Sequence, residues 1–344
     1  MLFSPRARYR REWSGDVLIL SPGPIPTVDV YLRARLHGLA DGAVRHVDTG
    51  SDDPALLAAR AGTFVIIVRH ASAAWLKALL RERSRWSGVA FLMDDDIPAA
   101  WRCGDVPLDY GLWTTGRYLR VRHLLAAVCD RLWLSTPALR TRYAGSPARV
   151  VEPRAFGAAR EAAPAGTRRW AYHGTRIHHR ELRWLVPVVE AVQRSLPEAE
   201  FEVFGNAAVA RRFAHIPRVR VLAPRPWPAY LAHCEQAELA VGLAPLLPGR
   251  FNAVRSWVKM LDIVRCGAVG VFSDREPYAS ALVATGAALL PDDQGRWAAE
   301  IRRLLEDDAL RLARYRTAAA WVHDAKRGGN IDMLIRASGI GDAN

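Results

Sequence analysis

The stretch Phe251-Asn-Ala-Val-Arg-Ser-Trp-Val-Lys-Met-Leu-Asp-Ile-Val-Arg-Cys-Gly-Ala-Val-Gly-Val-Phe-Ser-Asp-Arg-Glu-Pro-Tyr278 decides the fold. An apolar run, Leu239 to Ala244, and a Pro/Gly loop, Pro245 to Gly249, precede it. The stretch itself reads as a helix start, a glycine stop at Gly267, a short strand at Ala268–Phe272 and a turn into another helix. A loop that hands Asn252, Arg255 and Lys259 to the start of a helix behind a parallel strand suits a diphosphate. Unpaired N–H groups and the positive dipole end favour an anion there, and the two cations add charge-assisted hydrogen bonds. Asp262, three residues beyond Lys259, is placed to hold a hydroxyl pair such as a ribose. The competing reading makes Arg255 and Lys259, at i and i+4, one solvated helix stripe. Of 48 basic residues only Lys77, Lys259 and Lys326 are lysine, so most arginines reflect a coding bias and the lysine in this loop stands out.

Outward from this stretch, strand-like and helical runs alternate, which predicts βαβ units and parallel sheets. In the first half the strands are expected at Asp16–Ser21, Val44–Val47, Phe64–Val68, Gly88–Met93, Arg131–Leu134 and Ala148–Val151. Helices are expected at Val28–Leu39, Pro54–Arg60, Ala73–Arg83 and Tyr118–Val128, with a short one from Pro137. A segment with two prolines, two glycines and many small residues follows, and its composition marks a linker at 153–168. The pattern then restarts with strands at Arg169–Tyr172, Glu200–Phe204 and Val219–Leu222 and helices at His179–Ser195 and Trp227–Gln236. The expected organisation is an α/β chain of two Rossmann-like domains, 1–152 and 169–310, whose parallel sheets face a central cleft. Residues 311–344 would be terminal helices packing back on the first domain. A length of 344 residues suits two domains of roughly 150 residues.

Composition bounds the function. Half the residues are apolar and 24% charged, as in an ordinary globular protein. The four cysteines, Cys103, Cys129, Cys234 and Cys266, have no metal-ligand spacing and suggest reduced thiols in a cytoplasmic enzyme. No run of about 18 apolar residues appears, and the first 13 residues lack the apolar core of a signal peptide. That basic segment reads as a frayed tail or as a peripheral contact with an anionic membrane. The net charge of +13 raises a nucleic-acid reading, but the arginines are spread along the chain without a finger, RNP strand or basic helix. No nucleic-acid partner is expected; phosphorylated donors or an anionic leaflet account for the charge.

The order and spacing of several pieces resemble the two-Rossmann-domain (GT-B type) nucleotide-sugar glycosyltransferases, especially glycosyltransferase group 1 or family 4. The pieces are Tyr172-His-Gly-Thr-Arg-Ile-His-His, Phe201-Glu-Val-Phe-Gly-Asn, Phe251-Asn…Arg255-Ser…Lys259…Leu261-Asp…Gly267 and Ser273-Asp…Pro277-Tyr in the second half. The first half adds Phe91-Leu-Met-Asp-Asp-Asp-Ile and Asp130-Arg-Leu-Trp-Leu-Ser-Thr-Pro, so the resemblance covers roughly residues 88–290. It implies a cytoplasmic enzyme that moves a sugar from a nucleotide-diphosphate donor such as a UDP-sugar, without a cofactor, to a glycan, lipid-linked or small-molecule acceptor. A catalytically silent nucleotide-sugar or partner-binding protein of the same fold is the alternative. The similar sequences carry two glutamates with seven residues between them, the second five positions before the helix-ending glycine. Here Val254 and Asp262 hold those positions. Val254 offers a sugar no hydrogen bond, so the donor-sugar contact would fall to a neighbour such as Asn252.

The remaining candidates lie at predicted strand ends. Gly174 permits close approach of a ligand, Thr175 can cap the following helix, and Arg176 and Ser256 extend the donor-binding set. Asp94, Asp95 and Asp96 end an apolar strand. They are read as acceptor-binding carboxylates, with Asp95 nearest the chemistry, as turn and cap residues, or as ligands for a divalent metal. Metal is not expected, because cations and helix ends meet the diphosphate charge in the two-domain type. Gly23, in the loop after the first strand, is an acceptor-side candidate. His70 is the candidate general base for an inverting reaction.

Overall fold

The computed structural model describes residues 2–324 and 329–336. The first sheet holds β1 (Val17–Ser21), β2 (Val44–Asp48), β3 (Thr63–Val68), β4 (Trp86–Met93), β5 (Arg131–Leu134) and β6 (Arg149–Val150). The second holds β7 (Arg169–Tyr172), β8 (Glu200–Phe204), β9 (Val219–Leu222), β10 (Val241–Ala244), β11 (Val269–Ser273) and β12 (Ala288–Leu290). Their orders are β2-β1-β3-β4-β5-β6 and β12-β11-β10-β7-β8-β9, and neighbouring strands run parallel throughout. Central strands such as Thr63–Val68 are buried along their whole length, as expected where helices cover both faces of a parallel sheet. The strand order reverses direction beside β1 in the first sheet and between β7 and β10 in the second. Crevices outside the carboxyl ends of the strands open at these points.

Several local expectations shift. The helix read over 28–39 is broken into Pro26–Val28, a π-helical turn Asp29–Arg33 and Ala34–Leu36, and the helix read over 54–60 shrinks to a 3-10 turn, Pro54–Leu56. The helix expected from Tyr118 begins ten residues earlier and spans Leu108–Val128. Helix Ala207–Phe213 and strand β12 were not anticipated, although Asn206 accepts from the amides of Ala208 and Val209 as an N-cap should.

The described residues nearest each terminus pack on the body of the protein. Leu2, Phe3 and Ala7 are buried, Phe3 packs edge-on against Phe91, and its amide donates to the Tyr118 hydroxyl. The first residues are therefore not the frayed or membrane-resting segment anticipated for them, because their apolar side chains complete the first core. The expected unit 311–344 divides. Helix Asp308–Val322 stays with the second half, where Tyr315 bonds to the Arg160 carbonyl and Arg311 to those of Ala163 and Pro164. Helix Ile331–Arg336 crosses to the first half, where Arg149 donates to the Met333 carbonyl and Arg131 to that of Ile335. Residues 325–328 and 337–344 lie outside the described residues.

Candidate functional site

The decisive stretch is not one helix. After the Pro/Gly loop it makes a 3-10 turn, Asn252–Val254, extends at Arg255 (ψ 150°), and turns helical only from Lys259 to Arg265. Arg255 and Lys259 are thus not two rungs of one exposed stripe. Both are largely buried at the second sheet's reversal point, between the carboxyl ends of β7 and β10. The Lys259 ammonium donates to the carbonyl of His173, just past β7. Burial pulls the lysine below its ordinary range and Arg255 adds to that, while Asp262 opposes it. A buried ammonium held this way gains strongly from an incoming anion.

Arg255 reaches across the cleft. Its Nε lies 3.8 Å from Asp95 Oδ1, its Nη1 lies 3.4 Å from His178 Nδ1, and its guanidinium sits 5.5 Å from the Phe251 ring centre. Burial alone would depress Arg255, but Asp95, followed by Tyr278 and Glu181, outweighs it and holds the guanidinium above its usual value. His178 goes the other way: burial first, then Arg255 and Lys259, push its imidazole well below its usual value and keep it neutral.

On the opposite wall Arg69 donates to Asp94 at 2.8 Å and to Asp95 at 3.4 Å. Arg69 adopts φ +63°, a left-handed conformation that costs a non-glycine residue about 1 kcal/mol or more, and it is the residue that clamps both carboxylates. Asp94 also accepts from Thr27 at 2.7 Å, while its Oδ1 is buried without a protein partner. Burial raises the Asp94 carboxyl above its usual range against the pull of Arg69. Next to Arg69, His70 is pushed down to about 4 by burial and then by Arg117 and Arg120. It is neutral at pH 7 but a weaker proton acceptor than the ordinary imidazole assumed from sequence.

Several other candidates are already engaged by partners within the protein. Asp96 is fully buried, its carboxylate engaged by Arg142 at 2.7 Å and by the Tyr143 hydroxyl, so it has no oxygen to offer an acceptor. Asn252, expected at the donor sugar, points inward: its amide donates to Glu181 at 2.8 Å and to the Leu247 carbonyl at 2.9 Å. Thr175 is exposed and makes no side-chain cap to the turn Arg176–His178. The Arg176 side chain lies outside the described residues. Ser256 bonds at 2.6 Å to the Tyr31 hydroxyl of the first domain. Asp262 borders a small cavity with Lys259 and His173 and pairs with Arg265 at 3.3 Å. Gly174 is required by packing, since a Cβ there would lie 2.6 Å from the Tyr172 ring. Gly23 adopts φ +70° in the loop after β1, beside Asp48.

Sequence reasoning missed what ties the two walls together. Asp105, buried in the first domain, accepts the backbone amides of Phe251 and Asn252, each at 2.9 Å. Gly249 passes so close that a Cβ would stand 2.0 Å from the Asp105 carboxylate. Thr136 donates to the Val254 carbonyl at 2.8 Å, Arg142 to that of Arg250 at 2.6 Å, and Trp227 to Asp29 at 2.7 Å. The π-helical turn presents Asp29 and Tyr31 to the second domain. Among the described residues, the groups with metal-ligand proximity are His173/Cys234/Cys266 and His173/Glu202/His233; the aspartate run is in neither.

No protein-family model and no curated protein matches the sequence. Solved structures do match in fold. One is WaaG, a glycosyltransferase involved in lipopolysaccharide biosynthesis, with a TM-score of 0.57 and 10% identity over 94% of this chain and 100% of that one. A second is S. aureus TarM, a variant solved in complex with fondaparinux, α-GlcNAc-glycerol and UDP, with a TM-score of 0.56 and 10% identity over 81% of this chain. The chain spans about half of that structure, 55% of its length. A third is the N-terminal domain of Candida albicans trehalose-6-phosphate phosphatase, with a TM-score of 0.53 and 10% identity over 97% of both chains. The chain therefore has the GT-B type fold, two parallel-sheet α/β domains around a cleft, as its sequence led one to expect.

Proposed function

We propose that the chain is a glycosyltransferase that moves a sugar from a nucleoside-diphosphate donor, held by the second domain, to an acceptor held mainly by the first. The observation that carries this reading is the pair of buried cations, Arg255 and Lys259, at the second sheet's reversal point, facing the Asp94–Asp95 wall across the cleft. Asp95 holds the place of an anion on Arg255. A diphosphate entering there replaces it and receives both cations where negative charge grows as the glycosidic bond breaks. Asp262 accepts from the ribose in place of Arg265, and the unpartnered Oδ1 of Asp94 accepts from an acceptor hydroxyl. With Arg255 and Lys259 meeting the diphosphate, a divalent metal is not part of this scheme. The acceptor proton passes to the departing diphosphate or to neutral His70.

The acceptor side carries a second clue. Leu108, Leu112, Trp113 and Leu119 of the long helix Leu108–Val128 are exposed, as is Trp101 beside it, and Arg117 and Arg102 lie over the two indole rings at 4.5 and 5.5 Å. Apolar side chains rimmed by arginines, on a chain of net charge +13, suit an anionic leaflet that presents a lipid-linked acceptor. Among the described residues no helix is long and apolar enough to cross a membrane. The test of the central proposal is a melting-temperature screen of nucleoside diphosphates and nucleotide sugars, followed by donor turnover. A shift abolished in Arg255→Ala, with turnover of the same donor, supports it. A shift without turnover favours the silent binder, and no shift with any diphosphate overturns it.

A further inference from the structure

Behind the cation pair lies a second constellation, which the diphosphate reading does not use. Cys234 lies in the last turn of the helix Trp227–Gln236, Cys266 follows the helix Lys259–Arg265, and His173 follows β7. Thirty-two positions separate the cysteines, so no short spacing betrays the pair, yet the fold sets both sulfurs and a ring nitrogen of His173 within 4.8 Å of one another. Both cysteines are buried. A tetrahedral zinc with Zn–S bonds of about 2.3 Å holds two sulfurs roughly 3.8 Å apart, so only a small inward adjustment closes the set.

The surroundings fix the histidine as a ligand needs. His173 Nε2 lies 3.1 Å from Glu202 Oε1, which also meets His233 at 2.7 Å; Glu202 Oε2 is approached by Arg169 at 3.3 Å and Arg220 at 3.7 Å. A carboxylate so held takes the Nε2–H and leaves the lone pair on Nδ1, the arrangement that orients metal-bound histidines. Nδ1 lies 3.2 Å from the Tyr230 hydroxyl, which closes the fourth side of the cluster. A cavity of about 10 Å³, room for one water-sized body, touches His173 and Cys266. The other candidate group, His173/Glu202/His233, is a set of direct hydrogen bonds around one carboxylate oxygen and leaves no space for an ion.

We infer that Cys234, Cys266 and His173 form a zinc site, with Tyr230 or a water at the fourth position and Glu202 as the residue that positions His173. Two thiolates and an imidazole select Zn²⁺ over Mg²⁺ or Ca²⁺. The ion clamps three elements that also border Lys259 and Asp262, so it braces the floor of the cleft whatever ligand the cleft takes.

Metal content of the full chain, purified under reducing conditions without chelator, tests the inference. One zinc per chain is expected, falling at least tenfold in Cys234→Ser and in Cys266→Ser but not in Cys103→Ser. If the serine variants fail to fold, Co²⁺ titration of the wild-type chain gives the answer, because two thiolates around tetrahedral cobalt produce a charge-transfer band and visible d–d bands. Glu202→Gln should weaken Zn²⁺ affinity 10- to 100-fold in a chelator competition, as loss of an orienting carboxylate does. Wild-type protein that takes up neither Zn²⁺ nor Co²⁺ from micromolar buffered solution overturns the site. So does a Cys234–Cys266 disulfide in freshly purified protein, or zinc content unchanged in both serine variants.

Discussion

Replacing Asp95 by asparagine should strengthen, not weaken, the binding of a nucleoside diphosphate. Arg255 and Asp95 face each other at 3.8 Å with side chains 15% and 12% exposed. At that separation the Coulomb attraction is about 4 kcal/mol for an effective dielectric of about 20. A diphosphate that claims Arg255 must displace this carboxylate. Asp95 keeps part of its stabilisation through Arg69 at 3.4 Å, and Arg255 regains a charged ligand, so only a fraction of that energy opposes binding. Asp95→Asn keeps the size and the hydrogen-bonding capacity but removes the charge. The expected gain is about 1–2 kcal/mol, roughly 5- to 30-fold in affinity. Isothermal titration calorimetry with UDP and GDP measures it, and Arg255→Ala provides the opposite arm: the loss of a hydrogen bond to a charged group costs about 1.5–3 kcal/mol. Asp95→Asn with unchanged or weaker affinity, in a protein that melts normally, would refute the idea that Asp95 holds the place of the ligand. If Arg255→Ala also binds as well as the wild type, the cleft's cations are not a diphosphate site.

Lys259→Ala should weaken the same ligand by about 1.5–3 kcal/mol by calorimetry. The loss should shrink as salt rises far less than for an exposed lysine, since the ammonium is buried. Brief EDTA treatment should leave transfer intact; complete loss restored by Mn²⁺ and abolished in Asp94→Ala would put a metal on the aspartate run. His70 gives a pH signature: its folded pKa of about 4 lies below the unfolded value near 6.5, so the unfolded chain binds the proton first and stability is lost as the pH falls from 6.5 to 4. Discounted for partial exposure, the effect is about 1–2 kcal/mol, and His70→Gln should show a smaller drop in melting temperature between pH 7.5 and 4.5 than the wild type. Leu112→Asp with Trp113→Asp should abolish sedimentation with anionic vesicles and leave UDP affinity unchanged; wild-type protein that ignores such vesicles refutes the leaflet as a docking surface.

The parallel sheets were legible because buried strands write themselves as short apolar runs alternating with helical stretches, as at Phe64–Val68 and Gly88–Met93. Arg255 and Lys259 were read together with Asn252 because all three share one segment. Spacing reports which residues share a segment but not which way a loop turns them, and a break at Arg255 sends Asn252 inward to Glu181. Asp96 was read with Asp94 and Asp95 because the three are adjacent. A bend at Asp95, past the end of β4, sends the third to Arg142 and Tyr143, two side chains about 46 residues away that no local pattern names. Tertiary contacts of this kind were out of reach from one sequence, as were Asp105 on the 249–252 backbone and the meeting of Cys234 with Cys266. The cap at Asn206 and the proline before Leu108 were available as local signals for the two helix starts that went unread.

The loop 249–256 does two things at once, and the second constrains the first. Its amides sit on Asp105, its carbonyls accept from Arg142 and Thr136, and Ser256 meets Tyr31, so the backbone that carries Arg255 is fastened to the opposite domain. A cleft that opened by swinging this loop away would lose at least four such bonds, each worth about 1 kcal/mol net and more where a buried partner is left unsatisfied. Opening by a hinge that leaves the loop with the first domain would instead separate it from Lys259, four residues on, at the extended stretch following Arg255. The second path makes the Arg255–Lys259 distance the coordinate that ligand binding fixes, whereas the first carries both cations away together. A dianion bridging the two cations therefore stabilises the joined state by its differential affinity alone, with no further lid required.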